Sequence, residues 1–122
     1  MRAKPCWFCK NYGKYTERNI ADEFDQHFLL ASIAPRFVMV GSCDGDPWAD
    51  PISQQLCALA ASEAWEELSL PGILECEEYF EPGSFTDEGR VGFFKLHSKH
   101  FLSRHSWKRF LSFVEKHRNE KV

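Results

Sequence analysis

The sequence predicts a small α+β domain in which a short antiparallel sheet is covered by helices. Apolar segments at 37–40 and 91–96 predict the strands. Amphipathic segments at 17–33 and 106–117 predict the helices. A length of 122 residues is typical of one domain, so we expect residues 1–122 to form a single domain.

The first predicted helix follows a basic, aromatic segment at residues 1–15. Thr16 or Asn19 is suited to begin it, because both side chains can accept a hydrogen bond from a free helical amide. We expect it to end before Pro35, since a residue that precedes proline disfavours helical geometry. Its apolar positions recur about every four residues, at Ile20, Phe24, Phe28 and Ala31.

The middle of the chain begins with the strand at 37–40, which we expect to end at Gly41. The Asp-Gly-Asp-Pro turn at 44–47 follows. Asp50 before Pro51 is typical of a helix start, and predicts a helix reaching about Leu68. Its apolar face would contain Ile52, Leu56, Leu59, Ala60 and Leu68. The alternative for this segment is a strand at 55–59, and both interpretations stay open.

Two segments complete the prediction. Residues 73–80 fit either an edge strand or a short helix. The last helix would begin at Ser106, with apolar residues on one side at Trp107, Phe110, Leu111 and Val114.

Composition excludes some classes of function. The net charge of −3 does not provide the basic field that general binding to nucleic acid or an anionic membrane requires. No apolar run approaches the length of a membrane span, and five cysteines are too few for a disulfide scaffold. We therefore expect reduced thiols and a cytoplasmic location.

The acidic turn after the first strand is the first candidate site. Asp44, Asp46 and Asp50 surround Trp48, and residues 44–88 contain no Lys or Arg. The turn lacks the glycine and the bidentate glutamate of a calcium loop, so solvent-exposed carboxylates are the simpler interpretation. A magnesium-dependent hydrolase is a third-ranked alternative. A Trp within a polar rim is typical of a protein-binding surface, and we expect these four residues to contact a basic partner.

The second candidate is the pair Cys6 and Cys9, at a spacing that suits two zinc ligands. A closed site needs two more ligands. The expected completion is His97 with His100, and the alternatives are His100 with His105 or Cys43 with Cys57. A redox role for the pair is disfavoured, since no strand precedes Cys6.

Evidence for catalysis in the sequence is weak. The chain contains no G-x-S-x-G, no glycine-rich phosphate loop and no H-E-x-x-H. A Cys43 nucleophile with a distant histidine is a minor alternative. The basic, aromatic stretch 95–109 is suited to binding single-stranded nucleic acid. The simpler interpretation is a solvated surface whose positive charge balances the negative charge of the acidic segment 44–88.

Two short motifs resemble the SUKH superfamily, α+β proteins known largely as bacterial immunity proteins. One is the strand Phe-Val-Met-Val-Gly-Ser at 37–42 with Gly-Asp-Pro at 45–47, and the other is Ser-Trp-Lys-Arg-Phe-Leu at 106–111. The resemblance covers about a fifth of the chain. It lacks the family's usual opening segment, and it implies strands after residue 47 where local signals favour a helix. It implies binding without catalysis, on an acidic surface suited to a basic toxin.

The leading hypothesis is therefore an intracellular, non-enzymatic protein that occludes a basic protein such as a nuclease toxin, and that needs no cofactor. The alternative is a small zinc-stabilised regulatory or nucleic-acid-associated module that uses Cys6 and Cys9.

Overall fold

A three-stranded sheet forms the centre of the protein in a computed structural model that describes residues 5–7, 9–11, 25–74 and 79–120. The strands are β1 (Val38–Cys43), β2 (Phe85–Thr86) and β3 (Val91–Leu96), in the spatial order β1-β3-β2. The helices are α1 (Gln26–Ala31), α2 (Pro51–Glu66) and α3 (Arg104–His117). Short 3₁₀ turns lie at Pro5–Trp7 and Pro47–Ala49. The α+β prediction is confirmed.

The direction of strand pairing differs from the prediction of an antiparallel sheet. β1 and β3 are parallel, with Val38 opposite Val91 and Cys43 opposite Leu96. β2 is antiparallel to β3. The connection from β1 to β3 includes the whole of α2, and a crossover of that length allows two strands to run the same way. As a result, the loops after β1 and β3 lie at the same edge of the sheet.

The central strand β3 is buried on both faces, as expected for a strand between two helical layers. Phe93 belongs to a cluster with Ala58, Ala61 and Trp65 on α2. Phe94 points the other way and meets the ring of Phe110 on α3, with 5.1 Å between the ring centroids. The helices α2 and α3 therefore cover opposite faces of the sheet.

The helix α2 settles the ambiguity at residues 51–68 in favour of a helix. Asp50 caps it, with its carboxylate accepting a hydrogen bond from the Ser53 amide, and Pro51 occupies the first turn as predicted. The predicted apolar face is wrong, because Ile52, Leu56 and Leu68 are half-exposed. The face that packs on the sheet contains small and amphipathic side chains at Gln55, Ala58, Ala61, Ser62 and Trp65.

Trp65 connects α2 to the segment that precedes β1. Its side chain is fully buried, and the indole N–H donates to the carbonyl oxygen of Arg36 at 2.8 Å. This contact fixes the start of β1 relative to α2. Together with the packing of Ala58 and Ala61, it holds a helix with few large apolar residues against the sheet.

The other boundaries differ modestly from the expectations. α1 begins at Gln26 with Asp25 as its cap, while the predicted caps Thr16 and Asn19 lie outside the described residues. β1 continues through Gly41 to Cys43. Ser103, three residues before the predicted start at Ser106, caps α3, and Ser106 completes a capping box.

Three further features bear on the predictions. Residues 73–74 and 79–80 form neither helix nor strand, and the rest of 73–80 is outside the described residues. On α3, Trp107, Leu111 and Val114 are exposed, and Phe113 is the buried aromatic residue. None of the described helices has the length and apolar character needed to cross a membrane.

Candidate functional site

The candidate site lies where β1 and β3 end side by side. Asp46 follows β1 by three residues, and His100 follows β3 by four. In sheets with parallel strands, binding and catalytic side chains concentrate at the carboxyl ends, because neighbouring loops converge there. The parallel pairing brings these two distant parts of the sequence together.

Asp46 and His100 form a carboxylate–imidazole pair. The Nδ1 atom of His100 is hydrogen-bonded to Oδ2 of Asp46. The Asp46 side chain is only 10% exposed, whereas that of His100 is 86% exposed. A buried carboxylate bound to Nδ1 holds the ring in one tautomer and leaves Nε2 at the surface, where it can accept a proton.

A second carboxylate–imidazole pair lies next to the first. Asp44 Oδ2 is 2.5 Å from Nδ1 of His97, and Oδ1 accepts a hydrogen bond of 3.1 Å from the Ser98 amide. Partial desolvation acts to raise the pKa of Asp44. The hydrogen bonds from His97, Ser98 and the Gly45 amide, together with the positive charge that His97 can carry, outweigh it, and the pKa lies below its ordinary value.

A cavity of about 430 Å³ opens beside the Asp46–His100 pair. Trp7, Trp48 and Ala49 complete its lining. The two indole rings meet edge to face, with centroids 6.5 Å apart, and Trp48 is 65% exposed. The cavity thus combines two large aromatic surfaces with a carboxylate and an imidazole.

A second recess of about 330 Å³ also contains Asp46 and His100 in its lining. Two of its polar atoms, Ser42 Oγ and Gln54 Oε1, are buried without a hydrogen-bond partner among the described residues. A buried polar atom without a partner is costly. This recess lies beside the end of β1, which is one of the two edge strands of the sheet within the described part of the chain.

The predicted protein-binding surface has a different structure from the one expected. Asp46 is buried beneath His100 and is not a solvated turn carboxylate. Asp50 caps α2 and bonds the Ser53 hydroxyl at 2.7 Å. Asp44 is bound to His97. Trp48 and Asp50 are exposed, Asp44 is partly buried and Asp46 is buried, so the four residues do not share one solvent-facing surface.

The predicted zinc ligands are not gathered into one site. Cys6 and Cys9 are exposed thiols, while His97 and His100 bind Asp44 and Asp46. Across the described ranges, no group of three or more His, Cys, Asp or Glu side chains is arranged to hold a metal ion.

Cys43 is poorly suited to act as a nucleophile. Burial is the main effect that raises the pKa of its thiol, and the carboxylates of Asp46 and Asp44 add to it. The thiol also lies 3.4 Å from the Lys99 carbonyl oxygen, to which it donates. A raised thiol pKa leaves less of the reactive thiolate near neutral pH.

The positions of Asp46 and His100, each a few residues after a predicted strand, could have indicated that the two side chains meet. Both residues follow predicted strands at short distance, at 37–40 and 91–96. Antiparallel pairing places those two strand ends at opposite edges of the sheet, and parallel pairing places them together. The proximity of Asp46 and His100 therefore follows from a parallel arrangement of the two strands, and an antiparallel sheet does not predict it.

The order of these groups along the chain can be compared with that in known hydrolases. An acidic residue after one strand and a histidine after the neighbouring parallel strand, in that chain order, match the acid and base of an α/β-hydrolase. The family model described as "Glucuronyl esterase, fungi" matches residues 1–69. The chain belongs to the fungal glucuronyl esterase family.

Several relatives are similar over nearly the whole chain. Carbohydrate esterase MZ0003, from an unknown prokaryotic organism, is 30% identical over 113 residues, which are 93% of this chain and 26% of the relative. The structure of a promiscuous CE15 esterase from a marine bacterial metagenome has a TM-score of 0.84 and 29% identity, and covers 93% of this chain and 28% of that one. The glucuronoyl esterase from Solibacter usitatus has a TM-score of 0.79 and 34% identity, and covers 91% and 28%. The chain spans about a quarter of the length of these relatives.

These findings overturn the function predicted from the sequence. The family is one of enzymes that act on carbohydrate esters, so the expectations of a non-enzyme and of a basic protein partner are wrong. The SUKH resemblance is also wrong, since the comparisons support esterases over nearly the whole chain. They likewise give no support to a zinc-stabilised regulatory module.

Proposed function

We propose that this chain contributes the acid and the base of an ester-hydrolysing centre, and that the ester is carried by a glucuronoyl sugar. The observation that carries the proposal is the bond between His100 Nδ1 and the buried carboxylate of Asp46 at the ends of two parallel strands. The glucuronoyl esterase relatives support the choice of substrate.

The chemistry follows from the geometry of the pair. A nucleophilic hydroxyl attacks the ester carbonyl carbon, and His100 Nε2 takes the proton of that hydroxyl. When the carbon–oxygen bond to the alcohol breaks, the same proton passes to the leaving alkoxide, which departs as a neutral alcohol. Water then repeats the sequence on the acyl intermediate and releases the acid. Asp46 holds the ring in the required tautomer and stabilises its positive charge.

We propose that the nucleophile is supplied from outside these 122 residues. The chain contains no G-x-S-x-G sequence, and no described Ser, Thr or Cys side chain is hydrogen-bonded to His100. In this class of enzyme, the nucleophile lies on a strand-to-helix turn of the same sheet. The edge of β1 and the recess with Ser42 and Gln54 provide a surface beside His100 where such a turn would dock.

Trp48 is the proposed contact for the sugar. Its ring is exposed and lines the 430 Å³ cavity together with His100. The apolar C–H face of a pyranose packs well on an indole, and an ester group of the same sugar would then lie near Nε2. This arrangement gives the aromatic side chain a role in binding and the imidazole a role in bond cleavage.

The proposal is tested by replacing His100 in the intact protein, expressed from its native coding sequence, with an alkyl glucuronate ester as substrate. We expect His100→Ala to lower kcat by roughly a thousandfold or more, because the base acts on the reacting proton. His105→Ala is the matched control, since His105 is an exposed histidine in the first turn of α3. Equal activity of wild type and His100→Ala would refute the proposal.

The sugar contact is tested separately with Trp48→Ala. Aromatic packing of this kind contributes about 1 kcal/mol, so we expect KM to rise by roughly five- to tenfold while kcat changes little. Trp107→Ala is the control, because Trp107 is similarly exposed but does not line the cavity. An unchanged KM for Trp48→Ala, or an equal rise in both variants, would contradict the assignment.

A further inference from the structure

The second pair, Asp44 with His97, occupies a defined place in the sheet. Cys43 and Leu96 are the last paired residues of β1 and β3, so Asp44 and His97 are the next residue on each strand. Their side chains meet at 2.5 Å. Directly after the last backbone-paired residues, the two strands are therefore joined by a bond between side chains.

The loop segments beside this pair are bound closely to each other. The Asp44 amide donates to the Leu96 carbonyl oxygen at 3.1 Å, and the Gly45 amide donates to that of Ser98 at 2.9 Å. A β-carbon at position 45 would lie 2.4 Å from the same oxygen, so only glycine allows this approach. These bonds leave the loops little freedom to separate before Asp46 and His100.

Asp44 takes part in both the backbone hydrogen bonds and the side-chain hydrogen bonds between the two loops. Its carboxylate accepts from the Ser98 amide through one oxygen and contacts the His97 ring through the other. Ser98 lies two residues before His100. The Asp44 carboxylate is thus attached to the segment that carries the candidate base at two points, and it lies two residues before Asp46 on its own segment.

We propose that Asp44 and His97 are positioning residues, which fasten the loop after β1 to the loop after β3 and so keep Asp46 aligned with Nδ1 of His100. The effect of this alignment on ester hydrolysis rests on the proposed function of His100 as the base. The alignment itself is a structural property that can be measured without activity.

The test is the tautomer of His100, measured by long-range ¹H–¹⁵N correlation in the full chain with labelled histidine. A carboxylate bound to Nδ1 holds the proton on that nitrogen. We expect the wild type to show the Nδ1–H form and Asp46→Asn to lose it. Asp44→Asn and His97→Ala should each lose a measurable part of it, although neither replaced side chain contacts His100, while the backbone bonds between the loops preserve the rest.

Two variants make the test specific. His97→Gln keeps an N–H donor near Asp44, so we expect it to restore much of the Nδ1–H form that His97→Ala loses. Asp87→Asn is the matched control, because the Asp87 carboxylate likewise accepts a hydrogen bond from a nitrogen-bearing side chain, Lys116 at 2.7 Å, but precedes β3 at the other end of the strand. The His97 side chain is 88% exposed, so its removal leaves the core intact.

The outcomes separate this inference from the proposed function. A wild-type His100 tautomer in both Asp44→Asn and His97→Ala would overturn the positioning role, whatever the activity of His100 variants. If the tautomer shifts as expected while His100→Ala retains ester hydrolysis, the positioning role stands and the proposed function fails. In the active protein, Asp44→Asn should lower kcat and leave KM near its wild-type value, because the sugar contact at Trp48 is separate.

Discussion

At the scale of single residues, burial separates the carboxylates that look alike in the sequence. Asp44, Asp46 and Asp50 lie within seven residues of one another and predict one acidic surface. In the structure, each has a different partner: His97, His100 and the amide of Ser53. Two of these partners come from a segment more than fifty positions away, so local sequence patterns could not assign them. The α2 cap at Asp50 is local, and it was predicted correctly.

The depressed pKa of Asp44 predicts how the protein responds to acid. The folded protein holds this carboxylate ionised below its ordinary pKa of 3.8, so the unfolded chain takes up the proton first as the pH falls. The stabilisation from Asp44 is therefore complete above that value and is lost as the pH falls through the folded pKa. Thermal unfolding from pH 6 to pH 2 measures it.

We expect Asp44→Asn to lower Tm at pH 6, and the difference from wild type to shrink as the pH falls through the folded pKa of Asp44, because the wild-type carboxyl then loses its charge. Glu66→Gln, which removes an exposed carboxylate on α2, serves as the control and should change Tm little across the range. A constant Tm difference between wild type and Asp44→Asn at every pH would contradict the assigned cause of the pKa shift.

At the scale of elements, the sequence predicted what depends on neighbouring residues. The strand at 91–96 is β3 with the same bounds, and the helix predicted at 106–117 is the main part of α3. Alternation and capping are local signals, which explains this agreement. β2 has only two residues and was missed, because so short a strand has no periodicity to detect.

The pairing of elements could not be obtained from those signals. A parallel β1–β3 pair requires α2 to cross from one end of the sheet to the other, and the alternative strand at 55–59 obscured that crossover. The apolar faces were also misjudged. Large side chains at Leu56 and Leu111 are exposed, while the smaller Ala58 and Ala61 pack on the sheet. Apolar spacing finds the helix, but it does not show which face has a neighbour.

At the scale of the whole molecule, the relation between the chain and its relatives is partial. It spans about a quarter of the length of its esterase relatives, and exposed apolar side chains occur on α2 and α3. The candidate site has a carboxylate–imidazole pair, and among the described residues no Ser, Thr or Cys side chain is hydrogen-bonded to His100. Composition and charge led to the prediction of a binding protein. They could not reveal the Asp46–His100 pair, because bulk properties do not show which side chains meet at a strand end.

The most direct test of the acid–base pair is a double-mutant cycle on kcat, with Asp46→Asn, His100→Ala and the double variant in the intact protein. Asp46 acts through His100, so we predict that the double variant loses activity to within about threefold of His100→Ala alone. Losses that multiply, as for two independent sites, or single variants that retain wild-type kcat, would contradict the claim that these two residues work as one catalytic pair.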